Sequence, residues 1–519
     1  MSEGTKTISF ICAAVLVVTI AVVTRPTAPA ADPESPAGKM LAQVSDPLSA
    51  TRLEITEYSQ DTASLRNFEV AYIDGSWVIP SHQNYPADAE QQMGDAATSV
   101  MNRKILAVVS TNAGDHELYG VVEPQLNLTA GATGVGTKVT MRDGKNDALV
   151  NLIIGKPVKD QESQRYVRAV GKDPVYVVDL DPSYLSTDFG RWIEKDLLQL
   201  DPLAIMGLEL KDYSVQLSIG PDGRPQILMD PRSEIEFDFD EAAEENPWQV
   251  VELQQFDSQA KQLQPVDVPS DEQVNQTKLN DLKTALDDLK IVDVERKPQG
   301  LSDDLKAEAS FANDAEAVQS LATRGFYPVP VSQTDIEIYS SEGEVIAEMN
   351  DGVEYVLRFG KITIGDQGGR AGEDGESNGT GINRYLFVSA RFNEEAVPKP
   401  NIEELPAETP AEQDAPVVGA PPEPDEESTE EGEASDVERT ATEEQNAQQQ
   451  ADYEQQLEAG RERVQDLNRR FGDWYYVISD DVYKKIHLGR DDILQKIETP
   501  AGEGAGLGDL DALEAQGLE

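Results

Sequence analysis

The chain has 519 residues, enough for two or three domains with cores of their own; 39% hydrophobic and 27% charged residues make a globular composition with a polar excess. A formal net charge of −54 argues against a nucleic-acid partner, because phosphate would be repelled rather than neutralised, and disfavours an anionic lipid surface for the same reason. The single cysteine, Cys12, excludes an intrachain disulfide and a Cys-rich zinc site, and the scattered His82, His116 and His487 lack metal-ligand spacing.

Residues 7–24 form a charge-free run of apolar residues with threonines and Ser9 between Lys6 and Arg25. At 1.5 Å per residue such a run spans roughly 27 Å, just enough for a hydrocarbon core. The expectation is a transmembrane anchor at 7–24 behind a cytoplasmic stub at 1–6, with the body on the extracytoplasmic, periplasmic side. A cleaved signal peptide, with a processing site near Ala28, Ala30 and Ala31, is the competing reading. Either way the body is exported. Residues 25–45 read as a Pro- and Ala-rich linker.

The body opens on DPLSATRLEI at 46–55, and DPLAIMGLEL at 201–210 repeats its DPL and its Leu-Glu-aliphatic ending. In the first stretch, alternation predicts a strand at 52–58, and 68–73 and 77–80 read as a hairpin about Asp74-Gly75, where Gly accepts positive φ. A helix follows Tyr85-Pro86-Ala87-Asp88 to about Met101, with Met93, Ala97, Val100 and Met101 on one face. Strands are expected at 104–109, 125–129, 139–142, 149–154, 166–170 and 175–179, and a short helix at 192–200 closes the module.

The second stretch runs in parallel. A hairpin lies across Pro221-Asp222-Gly223, a strand at 233–240 follows, and Trp248 takes the place of Trp77. Ser270 is the expected N-cap of a helix with Leu279, Leu282, Leu286 and Leu289 as its core stripe. Strands at 336–339 and 355–359 are expected to pair and end in Gly360-Lys361, as the first copy ends in Gly155-Lys156. Strands at 385–392 and 474–479 and a helix at 490–497 complete the series. Residues 394–450 hold eighteen acidic residues against two basic ones and are expected to be disordered, with helical spacing regained from Ala451. The tail at 498–519 is Gly- and acid-rich and is expected to be flexible.

The resulting fold class is α+β. Two tandem homologous domains at 46–200 and 201–497, each a mainly antiparallel sheet with a few helices, stand behind one N-terminal transmembrane helix.

No motif carries chemistry. GATGVGTK at 131–138 lacks a Lys directly after its second Gly and runs into a strand, so it reads as a loop rather than a phosphate cradle. Glu234, Glu236, Asp238 and Asp240 alternate along a strand and share one face at about 7 Å intervals. A solvated face whose charges discourage edge pairing is favoured there over a divalent-cation patch. The Gly- and acid-rich loop at 366–381 fits no calcium-loop order. Trp77 and Trp248 read as core anchors rather than sugar-stacking residues. No catalytic, cofactor-binding or metal-binding residue is assigned, and no cofactor is expected.

Gly75-x-Trp77, Tyr85-Pro86-Ala87-Asp88, Tyr119-Gly120, Leu152-x-Ile154-Gly155, Tyr166-Val167 and Val175-Tyr176-Val177-Val178 occur in this order, followed by the helix expected at Trp192–Leu198. With them the chain resembles the bacterial domain of unknown function 4340 (DUF4340) family, over 53–200 and more loosely over 248–497. The second copy departs from it by lacking Tyr-Pro-Ala-Asp and by its acidic insertion. The resemblance implies an exported protein held by one N-terminal helix. It also implies an accessory role in the bacterial envelope beside an ABC transporter of gliding-motility type, and it brings no catalytic residue. The expected function is therefore non-enzymatic binding or scaffolding, with the membrane and an envelope protein as partners. The alternative is a carboxylate-dependent hydrolase of envelope polysaccharide.

Overall fold

Asp46 and Asp201 each begin the same small structure. The Asp46 carboxylate accepts from the Leu48 N–H at 3.0 Å and that of Asp201 from the Leu203 N–H at 2.9 Å, each capping a 3-10 turn with proline at its first position. Both turns release the chain into a strand, β1 (Ala50–Ser59) and, later, β10 (Ile205–Ile219). Leu53, Ile55, Leu208 and Leu210 on these strands are buried, each contributing about 1.5–3 kcal/mol.

The computed structural model describes residues 36–60, 63–126, 128, 131–221, 223, 225–298, 301, 306–307, 314–331, 336–364, 381–405 and 427–497. The expected stub, the anchor at 7–24, most of the linker, the loop at 366–380 and the tail at 498–519 lie outside these residues. Among the described residues no helix is long and apolar enough to cross a membrane. The chain divides into two compact units, Met1–Thr187 and Asp188–Glu519.

The first unit holds a nine-stranded sheet of order β4-β3-β2-β1-β6-β7-β8-β9-β5. Its strands are β1, β2 (Ser64–Ile73), β3 (Ser76–Ile79), β4 (Tyr85–Pro86), β5 (Ile105–Ser110), β6 (Thr137–Asp143), β7 (Ala148–Val158), β8 (Gln161–Ala169) and β9 (Val175–Asp179). Helix α1 (Glu90–Val100) lays Met93, Ala96, Ala97 and Val100 into the core, and α2 (His116–Tyr119) is a single turn. Asp74 and Gly75 both have positive φ, the two-residue turn that matches strand twist, so the predicted hairpin is present.

The second unit repeats the order as β13-β12-β11-β10-β19-β20-β21-β22-β15. These are β10, β11 (Pro225–Phe239), β12 (Trp248–Asp257), β13 (Gln262–Pro265), β15 (Asp293–Arg296), β19 (Glu344–Met349), β20 (Val353–Ile364), β21 (Ile382–Phe392) and β22 (Trp474–Ser479). Every ladder in both large sheets is antiparallel. Register corresponds as well as order. Gln164↔Asp179 through Val167↔Tyr176 in the first sheet answer Asn383↔Ser479 through Leu386↔Tyr476 in the second. The ladder slips at Ala50/Arg52 in one and at Ile205/Gly207 in the other. Tyr72 faces Trp77 and Phe239 faces Trp248, both pairs edge-to-face. Trp248 is buried with its indole N–H donating to Asn280, the core anchor expected, whereas Trp77 is only half-buried.

The Gly-Lys pairs also correspond. Helix α2 ends at Gly120, and the later helix α4 (Ala315–Arg324) ends at Gly325, both with positive φ. Lys156 donates to the carbonyls of Glu117 and Leu118, and Lys361 to that of Ala322, so each lysine satisfies carbonyls the helix end leaves open. The preceding glycines let the strand pass against the helix end, since a Cβ on Gly155 would lie 2.5 Å from the Tyr119 oxygen and one on Gly360 2.3 Å from the Arg324 oxygen.

Several expected elements differ. Residues 192–200 are not helical; after a 3-10 turn at Phe189–Arg191 their hydrogen bonds go to a neighbouring segment, with Leu197 N–H on the Leu289 carbonyl and Ile291 N–H on that of Lys195. This segment belongs to the second unit, so the division falls at Thr187 rather than Leu200. Residues 125, 126 and 128 are not in a strand. Helix α3 (Gln276–Asp287) is capped by Asn275, not Ser270, after a short strand β14 (Glu272–Val274), although Leu279, Leu282, Leu286 and Leu289 are all fully buried as expected.

The strand at Ile336–Ser340 does not pair with 355–359. It joins β16 (Lys306–Ala307) and β17 (Phe326–Pro330) in a small sheet as β18, and β19 takes the expected place beside β20. The last predicted helix is α7 (Arg490–Ile493) followed by β23 (Leu494–Lys496), which pairs with β14.

The largest difference concerns the acidic insertion. Helix α5 (Glu427–Phe471) runs through its second half and begins well before Ala451. Its C-terminal part packs on β20 and β21, where Asn468 exchanges two 2.7 Å hydrogen bonds with the Ala390 backbone. Glu, Gln and Ala are good helix formers, so the anchored turns propagate up the chain. Glu394–Ala396 is a 3-10 turn, and 406–426 lie outside the described residues.

Candidate functional site

One row of residues crosses five strands of the second sheet. Asp238 on β11 faces Gly207 on β10, Gly207 faces Glu348 on β19, Glu348 faces Glu354 on β20, and Glu354 faces Arg391 on β21. Neighbouring strands lie about 4.8 Å apart, so such a row brings like charges close. Two residues along, in pleat register, Glu209 faces Glu236. Gly207 has no side chain to fill the middle of the row, and a polar hollow of about 160 Å³ opens there, with Asn393 at its rim.

Five carboxylates and one guanidinium line this hollow, a formal charge of −4 (Arg391 against Glu209, Glu236, Asp238, Glu348 and Glu354). The available cations are unevenly shared. Arg391 pairs with the buried Glu354 and reaches Glu209 at 3.7 Å. Lys211 is 2.9 Å from Glu209 and 3.3 Å from Glu234. Asn393 donates to Glu354 at 2.8 Å and to Glu348 at only 3.5 Å. Glu348 has no cation within 4.0 Å among the described residues.

Proton affinities follow. Burial, then the charges of Glu354, Asp238 and Glu236, push Glu348 up to about 7. Glu209 is raised by burial and by its neighbour Glu234, against the pull of Lys211. Glu236 is raised by burial and by Glu209, Asp238 and other carboxylates.

An acid whose folded-state pKa is raised binds its proton more tightly when folded. Its ionisation therefore costs stability as pH climbs from the ordinary 4.5 through about 7, and costs nothing below that window. Glu348→Gln is accordingly expected to stabilise the second unit by about 1 kcal/mol at pH 8, allowing for solvent screening of a half-buried group, and to lose that advantage at pH 4.5. Urea unfolding of both chains at the two pH values checks this.

The first sheet shows what the same positions hold when balanced. Register places Glu54 and Glu69 where Glu209 and Glu236 stand, and Arg52 and Arg142 where Gly207 and Glu348 stand. Arg52 pairs with Glu69, and Arg142 lies 3.4 Å from Glu54. The second sheet keeps the two glutamates and replaces both arginines, one by nothing and one by a further acid. What the hollow can do chemically is receive a cationic group where the first sheet supplies its own.

Of the four alternating acids singled out in sequence, Glu236 and Asp238 line the hollow and are exposed, Glu234 pairs with Lys211, and Asp240 caps the following turn through the Ala242 N–H. β11 lies inside the sheet, between β10 and β12, so these charges do not guard an edge. Among the described residues no group of three or more His, Cys, Asp or Glu is arranged to hold a metal ion.

Val122 bonds to the backbone at Gly134 and Gly136, and the strand starts at Thr137, so GATGVGTK is a loop entering a strand. His116 contacts the Asp173 carbonyl, His82 contacts Ser81, and His487 stacks on Tyr483; the three are not brought together. Gly207, Glu209, Glu348, Glu354, Arg391 and Asn393 were not singled out in sequence. The legible signal was the repeat itself: with DPLSATRLEI set on DPLAIMGLEL, Arg52 falls on Gly207.

A model of the family described as "Domain of unknown function (DUF4340)" matches residues 77–309, a single span running from the first unit into the second, so the resemblance to that family holds. No curated protein and no solved structure matches the chain.

Proposed function

We propose that this DUF4340-like chain is a non-catalytic binding protein of the bacterial envelope, tethered by residues 7–24 with its body on the extracytoplasmic side. In this reading the two units are copies of one module, and the second copy has become the binding copy. The observation that carries it is the replacement of Arg52 and Arg142 by Gly207 and Glu348 at positions of matching register, which leaves Arg391 as the one guanidinium lining the hollow against five carboxylates. The group recognised is a guanidinium or ammonium on a partner protein, for which a charge-assisted pair with a raised carboxylate is favourable. An accessory place beside an ABC transporter of gliding-motility type is what the family resemblance implies for that partner.

Titration of the purified protein with the tripeptide Gly-Arg-Gly, its ends blocked, tests the site. Binding in the low millimolar range is expected, weakened at least tenfold by Glu348→Arg, which restores the first sheet's charge. No heat at ~10 mM peptide with the unsubstituted chain would reject the reading. Protease added outside intact spheroplasts should digest the body, and full protection would reject the location.

The hydrolase reading has one observation in its favour. Glu348, pushed up to about 7, could hold a proton for a leaving group near neutral pH. Against it, a hollow of about 160 Å³ is smaller than the roughly 300 Å³ at which ligand clefts begin. Each carboxyl there with a perturbed proton affinity is moved upward, where acid and base need to be moved apart. Hydrolysis of envelope polysaccharide lost in a folded Glu348→Gln variant would establish the alternative.

A further inference from the structure

The hairpin of β10 and β11 is longer than its counterpart in the first sheet. β1 and β2 close at Ser59↔Ser64. With Arg52 set on Gly207, that level corresponds to Ser214, and the second hairpin runs on through five more pairs, from Val215↔Met229 to Ile219↔Pro225. β19 follows β10 only to Lys211 and β12 follows β11 only to Ser233, so no ladder flanks this extension on either side among the described residues.

Alternation divides the faces of the resulting two-stranded ribbon. Gln216, Ser218, Gln226 and Leu228 lie on one, and Leu217, Ile219, Ile227 and Met229 on the other, following Tyr213 and Val215. Tyr213 and Val215 are buried against Tyr327, but Leu217 and Ile219 beyond them are 55% and 77% exposed, and Ile227 and Met229 are also open to solvent. From Tyr213 to Met229 the sequence holds one acid, Asp222, and one base, Arg224, in a chain of −54. The ribbon is an apolar, net-neutral face on an acidic molecule.

This face continues the one that holds the hollow. The ladder slips at Asp212/Tyr213 by passing over Arg232 of β11, so alternation along β10 is unbroken, and Gly207, Glu209, Tyr213, Leu217 and Ile219 share one side of it. The base of the ribbon is held firmly. Arg232 lies 2.6 Å from Asp212, the Tyr213 hydroxyl is 3.2 Å from that of Ser340, and His487, just past helix α6 (Asp480–Ile486), is 4.0 Å from Asp212. Glu209 and Leu217 are about 26 Å apart along the strand at 3.3 Å per residue. Both features are departures of the second copy from the first.

We propose that one basic partner protein docks on the hollow and the ribbon together, seating a guanidinium or ammonium in the first and an aliphatic patch on the second. This rests on the hollow being a cation site and adds the partner's second contact. A specific interface covers about 800 Å² on each side, roughly 30 Å across, which spans both features. The ribbon face alone, about 17 Å long and about 10 Å wide, offers only about 170 Å². Two copies meeting through it fall far short of a stable dimer, and each brings a charge of −54 to the other. An anionic lipid surface is repelled by the acids on the same side. A protein with an apolar patch and a cation at its margin meets both requirements.

The test is photo-crosslinking from p-benzoylphenylalanine in place of Leu217, in the full chain and in membranes of its native host. One protein adduct is expected. Glu348→Arg, a change at the hollow, should lower its yield at least fivefold, and so should millimolar blocked Gly-Arg-Gly. Glu162→Arg, the same change of charge at an exposed position of the first unit, should leave the yield unaltered. An adduct insensitive to Glu348→Arg, while the unsubstituted chain still binds the peptide, overturns this inference and leaves the hollow reading standing. An adduct lowered equally by Glu162→Arg reports bulk charge and overturns it too, as do a cross-link between two copies, a lipid adduct, or none at all. Failure of the peptide to bind removes the hollow reading and this inference with it.

Discussion

Asp480→Ala is expected to destabilise the second unit by about 3–5 kcal/mol, as removal of one partner from a buried ion pair does. Arg384 and Asp480 are both nearly inaccessible, and Arg384 Nε and Nη2 lie 3.1 and 2.9 Å from the same Asp480 oxygen. The third nitrogen, Nη1, donates to the Gly360 carbonyl at 2.8 Å, and the guanidinium lies 3.8 Å above the Tyr483 ring. One side chain thus ties β21 to β20 and to α6, and alanine at 480 would strand a buried cation. Burial would raise the Asp480 carboxyl, but hydrogen bonds from Lys484 and Arg384 outweigh it and hold the group below its ordinary 3.8. A depressed acid stabilises above its unfolded-state value, so this contribution is present at neutral pH and lost only as pH falls below about 4.

Replacing both partners would leave no buried charge stranded. In the first sheet, Leu180 follows Asp179 where Asp480 follows Ser479, and it is buried without a charge. Arg384→Met with Asp480→Leu should therefore cost far less than Asp480→Ala. Guanidinium unfolding, with hydrogen exchange to assign the loss to residues 188–497, would decide. A single-variant loss under 1 kcal/mol would mean the pair is not structural.

The second large effect is expected at the helix-end crossings. Gly360→Ala would place a methyl 2.3 Å from the Arg324 oxygen and 2.8 Å from the Phe326 ring, and Gly155→Ala one 2.5 Å from the Tyr119 oxygen. Backbone and a buried ring cannot move aside as a flexible side chain can, so each change should cost about 3 kcal/mol. Gly144→Ala is the control, because its Cβ would meet nothing nearer than the Thr51 methyl at 4.0 Å. Since each unit has its own crossing, Gly155→Ala should loosen exchange in the first unit and Gly360→Ala in the second. Equal loosening of both units by either change would show that they unfold as one.

How much of this was readable beforehand depends on range. Turn chemistry, alternation and the leucine stripe of α3 are local, and Asp74-Gly75 and Leu279 through Leu289 were legible because neighbours in sequence decide them. The helix expected at 192–200 failed because its backbone partners, near Leu289 and Ile291, lie some ninety residues away. Helix α5 was cut short because composition reports what a segment can bury by itself, whereas its anchor, Asn468 on Ala390, acts on turns far up the chain.

The sequence by itself determined the α+β class, the repeated order of features and the resemblance to the DUF4340 family, all of them properties of short ordered motifs. Only the tertiary structure decided the register that sets Gly207 and Glu348 against Arg52 and Arg142, and with it the acidic hollow. Charge balance in a sheet is settled between strands brought together from distant parts of the chain, and a one-residue shift in pairing would turn those side chains to the opposite face.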